Sequence, residues 1–231
     1  MVLFFTLSSN VAFASTSVED LYNKGNSCAN ELNYNCAVDY FKKAAASDYV
    51  PAMYNLAICY ENGFGVEQDY KAAAKLYLKA AELGDMLSMQ NLAYMYEQGI
   101  GVKKDLEKAF TWYSQAAAAG SPKAYTSLGL CYKRGIGVAK DLRKAYEWLK
   151  EGAQSGEARA QYFLGVAILK GEGTAVDIID AAAWLLLSAD RIDLSIGQQG
   201  LIKKFIDSLD SRQRTEAEHR ADLYYRMFGS Q

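Results

Sequence analysis

The sequence is poor in several residue types that catalytic and metal sites commonly use. Its 231 residues include one histidine, His219, two prolines and four cysteines. A single histidine excludes zinc sites that use several histidines and any catalytic scheme that needs two. Positive and negative residues nearly balance, with 25 Lys plus Arg against 27 Asp plus Glu, so the basic excess of a nucleic-acid-binding protein is missing. We therefore expect no metal, no cofactor and no nucleic-acid partner.

Long hydrophobic runs are also missing, since no stretch approaches the ~20 apolar residues of a membrane-spanning helix. The N-terminus nevertheless has an apolar run, Val2–Leu7, followed by the small-x-small sequence Ala12-Phe13-Ala14. This pattern resembles a secretory signal, although no Lys or Arg precedes it. We predict a signal peptide at residues 1–14, either atypical or with its true start upstream, and a periplasmic or secreted chain without stable membrane insertion. If the segment is instead a first helix, the chain is cytoplasmic.

Glycine is abundant, and most of the 18 glycines recur in phase. The segment NLAICYENGFGVEQD ends at Asp69, and related segments end at Asp105, Asp141 and Asp177, always 36 residues apart. A leucine and a Gly-x-Gly pair keep the same spacing in every copy. Several positions of different chemistry that recur together indicate a repeat protein.

Each repeat has the pattern of two helices. Residues 86–98 carry apolar side chains at i, i+3, i+4 and i+7, and Gly99 can end that helix in a left-handed conformation. Asp105 can cap the second helix, which stops at Gly120. A lone hairpin cannot bury both of its apolar faces, so the units must stack. After Arg191 the period fails, but 196–209 and 211–228 have helical composition.

These residues resemble the Sel1-like repeat, a relative of the tetratricopeptide repeat with a longer loop between its helices. The third unit carries the motif almost throughout, at Ala124, Leu128, Gly129, Tyr132, Gly135, Gly137, Val138, Asp141, Lys144, Ala145, Trp148, Ala153 and Gly156. The resemblance implies an all-α fold, a right-handed α-solenoid of stacked helix-turn-helix repeats with helical caps. Its predicted parts are a degenerate tetratricopeptide-like capping hairpin (15–47), four repeats within 48–191 (48–84, 85–120, 121–156 and 157–191) and a C-terminal helical cap (192–231), whose last helix Ser211 could cap.

The resemblance also implies a binding groove, because the first helix of each tetratricopeptide unit lines the concave face. Asn55 and Asn91 match the asparagine that holds the ligand backbone in peptide-binding relatives. The equivalent positions run from acidic in the early repeats to basic in the later ones. The predicted groove residues are Tyr54, Asn55, Ile58, Glu61, Gln90, Asn91, Tyr94, Glu97, Thr126, Ser127, Leu130, Lys133, Arg134, Tyr162 and Lys170.

Two cysteines fall on either side of the turn in the predicted capping hairpin. Cys28 is late in its first helix and Cys36 is early in its second, so the two could bridge the turn. Some exported members of the family carry a cysteine pair at this separation. We hypothesise a Cys28–Cys36 disulfide, which would suit a weak capping unit in an oxidising compartment.

The resemblance implies protein–protein interaction without catalysis. We expect an exported adaptor or scaffold that binds a protein or peptide in its concave groove. The alternative is an envelope enzyme or a peptidoglycan- or carbohydrate-binding protein on the same scaffold. A binding module needs a continuous concave strip, whereas an enzyme needs an enclosed pocket with a carboxylate of perturbed pKa.

Overall fold

The structure, a computed structural model, describes residues 17–189 and 195–228. Every regular element within those residues is an α-helix, and none of these helices is long and apolar enough to cross a membrane. The predicted signal peptide at residues 1–14 lies outside the described part of the chain. The chain divides into two compact units, one ending at Gln68 and the other beginning at Asp69.

The first unit consists of α1 (Val18–Asn30), α2 (Tyr34–Ala45) and α3 (Val50–Asn62). Ser17 and Asp20 form a capping box at the start of α1, so that two free backbone N–H groups find partners. The α1–α2 hairpin closes around Phe41, which is buried against Gly25. A Cβ atom at Gly25 would lie 2.5 Å from the Phe41 ring, so this close approach requires glycine.

The second unit contains nine helices within the described residues. They are α4 (Tyr70–Glu82), α5 (Met86–Gln98), α6 (Leu106–Ala118), α7 (Pro122–Arg134), α8 (Leu142–Gln154), α9 (Ala158–Lys170), α10 (Ile178–Ala189), α11 (Ile196–Asp207) and α12 (Ser211–Phe228). Neighbouring helices pack in sequence as hairpins, and the repeated leucines Leu92, Leu128 and Leu164 are buried between them. The predicted all-α fold of stacked helix pairs is confirmed.

Aspartates start the second helices of the repeats, as expected. The carboxylates of Asp69, Asp105 and Asp141 each accept a hydrogen bond from the first-turn backbone of α4, α6 and α8. Such a side chain satisfies N–H groups that have no partner within the helix. The last helix differs, because Asp210 rather than the expected Ser211 accepts from the Gln213 amide at the start of α12.

The C-terminal helices pack on α10 and end the stack of repeats. Trp184 of α10 stacks on Tyr224 of α12 with ring centroids 4.5 Å apart. The Tyr224 hydroxyl donates to Asp180, and Arg220 pairs with Asp177 and Asp180. Burial, reinforced by the hydrogen bond to Asp180, raises the pKa of Tyr224. This hydroxyl therefore stays protonated and attaches α12 to the start of α10.

Candidate functional site

A cavity of about 290 Å³ lies among the first helices of three successive hairpins of the second unit, α5, α7 and α9. It is only partly enclosed, and its walls mix amide, aromatic, aliphatic and charged side chains. Twelve residues line it: Gln90, Asn91, Tyr94, Glu97, Tyr113, Ser127, Leu130, Cys131, Arg134, Ile136, Arg159 and Phe163.

The structure brings together many of the predicted groove residues of the second unit. Helix α5 contributes Gln90, Asn91, Tyr94 and Glu97, and α7 contributes Ser127, Leu130 and Arg134. These residues share the cavity because the 36-residue period gives α5 and α7 the same register. The carboxamide oxygen of Gln90 accepts from the Ser121 hydroxyl at 3.0 Å, which ties the start of α7 to α5.

Four other predicted positions of the second unit lie outside the cavity. Thr126 is buried and donates to Glu157, whose carboxylate also caps α9. The Lys133 ammonium lies 2.6 Å from a carboxylate oxygen of Glu172, in the loop after α9. Tyr162 packs against the apolar cluster formed by α10, α11 and α12, and Lys170 is exposed as the last residue of α9.

The remaining predicted groove residues, Tyr54, Asn55, Ile58 and Glu61, belong to α3 in the first unit. All four are half-buried. The Asn55 carboxamide donates to Asn26 of α1 at 3.0 Å. Asn55 therefore already has a side-chain partner within its own unit.

The floor of the cavity is a hydrogen-bonded pair. The Tyr113 hydroxyl, on the second helix α6, donates to a carboxylate oxygen of Glu97 at 3.0 Å. Burial and the neighbouring Glu97 charge raise the pKa of Tyr113, while the nearby Ser127 side chain offsets part of the shift. Tyr113 therefore remains a neutral donor, and one oxygen of Glu97 is committed to it.

Cys131 of α7 lies beside this pair as a neutral thiol. Burial, followed by the Glu97 charge, raises its pKa to about 12, and the Arg134 charge offsets part of the shift. The nucleophilic form of cysteine is the thiolate, so Cys131 is inert at neutral pH. Cys59 of α3 is also buried, and burial raises its pKa too.

Sequence reasoning did not find Tyr113, Cys131, Ile136, Arg159 and Phe163 as lining residues. Phe163 had a signal, because it lies one repeat after Ser127 at the position that Asn91 occupies in α5. Tyr113 occupies a core position where the next repeat has Leu149, and a buried tyrosine requires a partner for its hydroxyl. The 36-residue period did not indicate Arg159 as a lining residue, because the equivalent residues of the earlier repeats are Leu87 and Lys123.

The cysteine pair of the first unit is joined in the structure. Cys28 and Cys36 form a disulfide across the α1–α2 turn, with Cα atoms 5.8 Å apart. His219 is exposed on α12. Across residues 17–189 and 195–228, no three His, Cys, Asp or Glu side chains cluster in a way that could hold a metal ion.

The family profile of the Sel1 repeat matches residues 20–49, 50–85, 87–121, 122–157 and 158–193. The chain belongs to the Sel1 repeat family. The first match includes the hairpin that we expected to be a degenerate tetratricopeptide-like cap, so the profile finds five repeats where the sequence pattern indicated four.

Solved structures support the same assignment. The chain is 27% identical to c5321, a protective antigen of uropathogenic Escherichia coli with this repeat fold, with a TM-score of 0.81 over 92% of this chain. It spans about half (46%) of that protein. A Sel1 repeat protein from Oxalobacter formigenes is 26% identical, with a TM-score of 0.78 over 93% of this chain and 90% of its own. No curated protein sequence matches significantly. The fold is thus the α-solenoid of Sel1 repeats.

Proposed function

We propose that this Sel1 repeat chain is an exported adaptor or scaffold that binds a protein or peptide segment in the cavity of its second unit. Sel1 repeats generally mediate protein interactions and generally act as scaffolds rather than catalysts. The proposal accordingly assigns no reaction to the cavity.

The observation that carries the proposal is the composition of the cavity wall. Asn91 offers an amide to a peptide backbone, while Tyr94, Leu130 and Phe163 offer apolar surface to side chains. Tyr94 is 49% exposed although it borders a concave surface. An aromatic ring with a polar tip beside an amide suits recognition of an extended segment, where backbone hydrogen bonds and side-chain contacts act together.

Export is supported by two features. Residues 1–14 resemble a secretory signal, and the Cys28–Cys36 disulfide is of a kind that persists in oxidising compartments. The protective-antigen role of the E. coli relative is in keeping with an exported chain. N-terminal sequencing of material recovered from the envelope or medium tests this part. We expect a start at Ser15, and a chain that retains Met1 would defeat the export proposal.

Site-specific photo-cross-linking tests the binding site. Tyr94 is replaced by p-benzoylphenylalanine, and the protein is irradiated in an extract of the native cell envelope. We expect an adduct of defined mass whose yield falls when Asn91→Ala is added, because the amide would no longer hold the bound segment.

A control position of matched exposure is available on α12, outside the cavity. Leu223 is 48% exposed, close to the 49% of Tyr94. The same cross-linker at residue 223 reports random collisions with the surface. Equal adducts at both positions would contradict the assignment of the cavity as the binding site.

A further inference from the structure

The cavity has an excess of positive charge on a chain that is acidic overall. Its charged lining residues are Glu97, Arg134 and Arg159, whereas the whole chain has a formal net charge of −2. The local excess is therefore not a consequence of composition.

The charged side chains in and beside the cavity differ in whether they already have a hydrogen-bond or ion-pair partner. Glu97 accepts the Tyr113 hydroxyl with one of its oxygens, and Lys133 at the neighbouring position is neutralised by Glu172. Arg134 and Arg159 are both exposed, and within the described residues neither makes an ion pair or a hydrogen bond through its guanidinium group. Two guanidinium groups thus border the cavity with their donors directed to solvent or to a ligand.

The arginines lie at different ends of parallel helices. Arg134 is the last residue of α7, and Arg159 is the second residue of α9. Along the helices between these two ends, the cavity is lined by Ser127, Leu130 and Cys131 of α7 and Phe163 of α9, which are all apolar or neutral. A ligand that reaches both arginines must therefore be extended and must place apolar groups between its charged ones.

We infer that the cavity selects extended peptide segments that carry acidic side chains next to an apolar residue, with carboxylates bound by Arg134 and Arg159. This inference rests on the proposed function and states which peptides the cavity accepts. Guanidinium groups bind carboxylates through paired, charge-assisted hydrogen bonds. Leu130 and Phe163 provide the contact surface for the apolar neighbour.

A displayed library of random seven-residue peptides, fused through their C-termini, tests the inference on the full oxidised chain. Because the fusion blocks the terminal carboxylate, only side-chain carboxylates can be selected. We expect enrichment of Asp or Glu beside an aliphatic or aromatic residue. Synthetic versions of the selected peptides, with free and amidated C-termini, then show whether the terminal carboxylate adds to binding.

Single substitutions identify the groups that bind the carboxylate. Arg134→Gln and Arg159→Gln should each weaken binding of the selected peptides about tenfold, the scale of a hydrogen bond to a charged group. Replacing the acidic residue of the peptide by its amide should have a similar effect. Lys170→Gln is the matched control, because it removes one exposed positive charge on α9 outside the cavity, and it should leave affinity nearly unchanged.

The outcomes separate this inference from the proposed function. Selected peptides without Asp or Glu, bound equally by wild type and both arginine variants, would leave peptide binding intact and overturn the acidic preference. Equal losses in Arg134→Gln, Arg159→Gln and Lys170→Gln would mean general electrostatic attraction and would also overturn it. If no peptide is enriched, both the preference and the proposed function fail.

Discussion

Gly137 offers a direct test of how successive repeats pack on each other. It is the second glycine of the third Gly-x-Gly loop, with a backbone φ of +67°. A Cβ atom there would collide with the Leu106 carbonyl oxygen in the first turn of α6 and would lie 2.9 Å from the Cβ of Phe110. Gly137→Ala therefore requires the loop and α6 to separate, in addition to the cost of a left-handed alanine.

Gly120 separates these two costs. It also has a positive φ, +91°, but a Cβ atom there would have nothing within 4 Å. Gly120→Ala should cost about 1–2 kcal/mol, the usual penalty for a left-handed non-glycine residue. Gly137→Ala should cost about 3 kcal/mol or more, since a buried collision is added to that penalty. For a chain of this size, each kcal/mol lowers Tm by about 2–4 °C.

Urea unfolding followed by far-UV circular dichroism measures both costs on the oxidised protein. Repeat arrays can unfold in parts, so coincidence of the circular dichroism and tryptophan-fluorescence transitions should be checked first. The close-packing explanation would be refuted if Gly137→Ala and Gly120→Ala lost the same free energy of unfolding within about 0.5 kcal/mol, the usual spread of surface substitutions. Because Ile136 precedes Gly137 and lines the cavity, Gly137→Ala should also weaken peptide binding.

Three further predictions concern single contacts. In a double-mutant cycle, Tyr113→Phe and Glu97→Ala should show a coupling of about 1–1.5 kcal/mol in urea unfolding, and additive effects would contradict the hydrogen bond. The raised pKa of Cys131 stabilises the fold fully below the ordinary thiol value of 9.0, and this contribution is lost as pH rises towards about 12. Between these two pH values, the free energy of unfolding of Cys131→Ala should therefore fall less than that of wild type. An equal pH dependence in the two proteins would contradict this role of the buried thiol. Reducing Cys28–Cys36 should destabilise the first unit by roughly 2.5 kcal/mol, from the loop-closure entropy of its short loop; unchanged amide-exchange protection of α1 and α2 after reduction would contradict this.

The helices and their order were predictable because the same boundary signals recur in every repeat. An aspartate cap, an apolar stripe and a terminal glycine recur every 36 residues, so each boundary is indicated several times. Asp105 and Gly99, for example, cap and end their helices as the pattern predicts. The failure at Ser211 has the same origin, because the period has ended there and only one local signal remained. Asp210 and Ser211 are both good caps, and composition alone does not choose between them.

For the candidate site, the sequence predicted which helix faces border the cavity but not which side chains on those faces already have partners. The 36-residue period indicated which faces of α5 and α7 border the cavity, since equivalent residues of stacked repeats share a face. The repeat register does not reveal which of these side chains already form hydrogen bonds or ion pairs with residues elsewhere in the chain. Lys133 forms a salt bridge with Glu172, 39 positions later, and the Thr126 hydroxyl donates a hydrogen bond to Glu157. Both partners are acidic residues of the following repeat, and neither contact is part of the repeat motif.

The C-terminal helices pack against part of α9 that the repeat pattern predicted as groove surface. Tyr162 of α9 is a predicted groove residue, yet it packs with its neighbour Val166 against the cluster that contains Ile202 and Ile206 of α11. Residues of α10, α11 and α12 form this cluster, and the side chains of Tyr162 and Val166 are half-buried against it. On α9 the cavity is lined instead by Phe163 and Arg159, so these are the α9 side chains that a bound segment would contact. An acidic residue of the peptide that faces Arg159, next to an apolar residue on Phe163, is the arrangement that this lining favours.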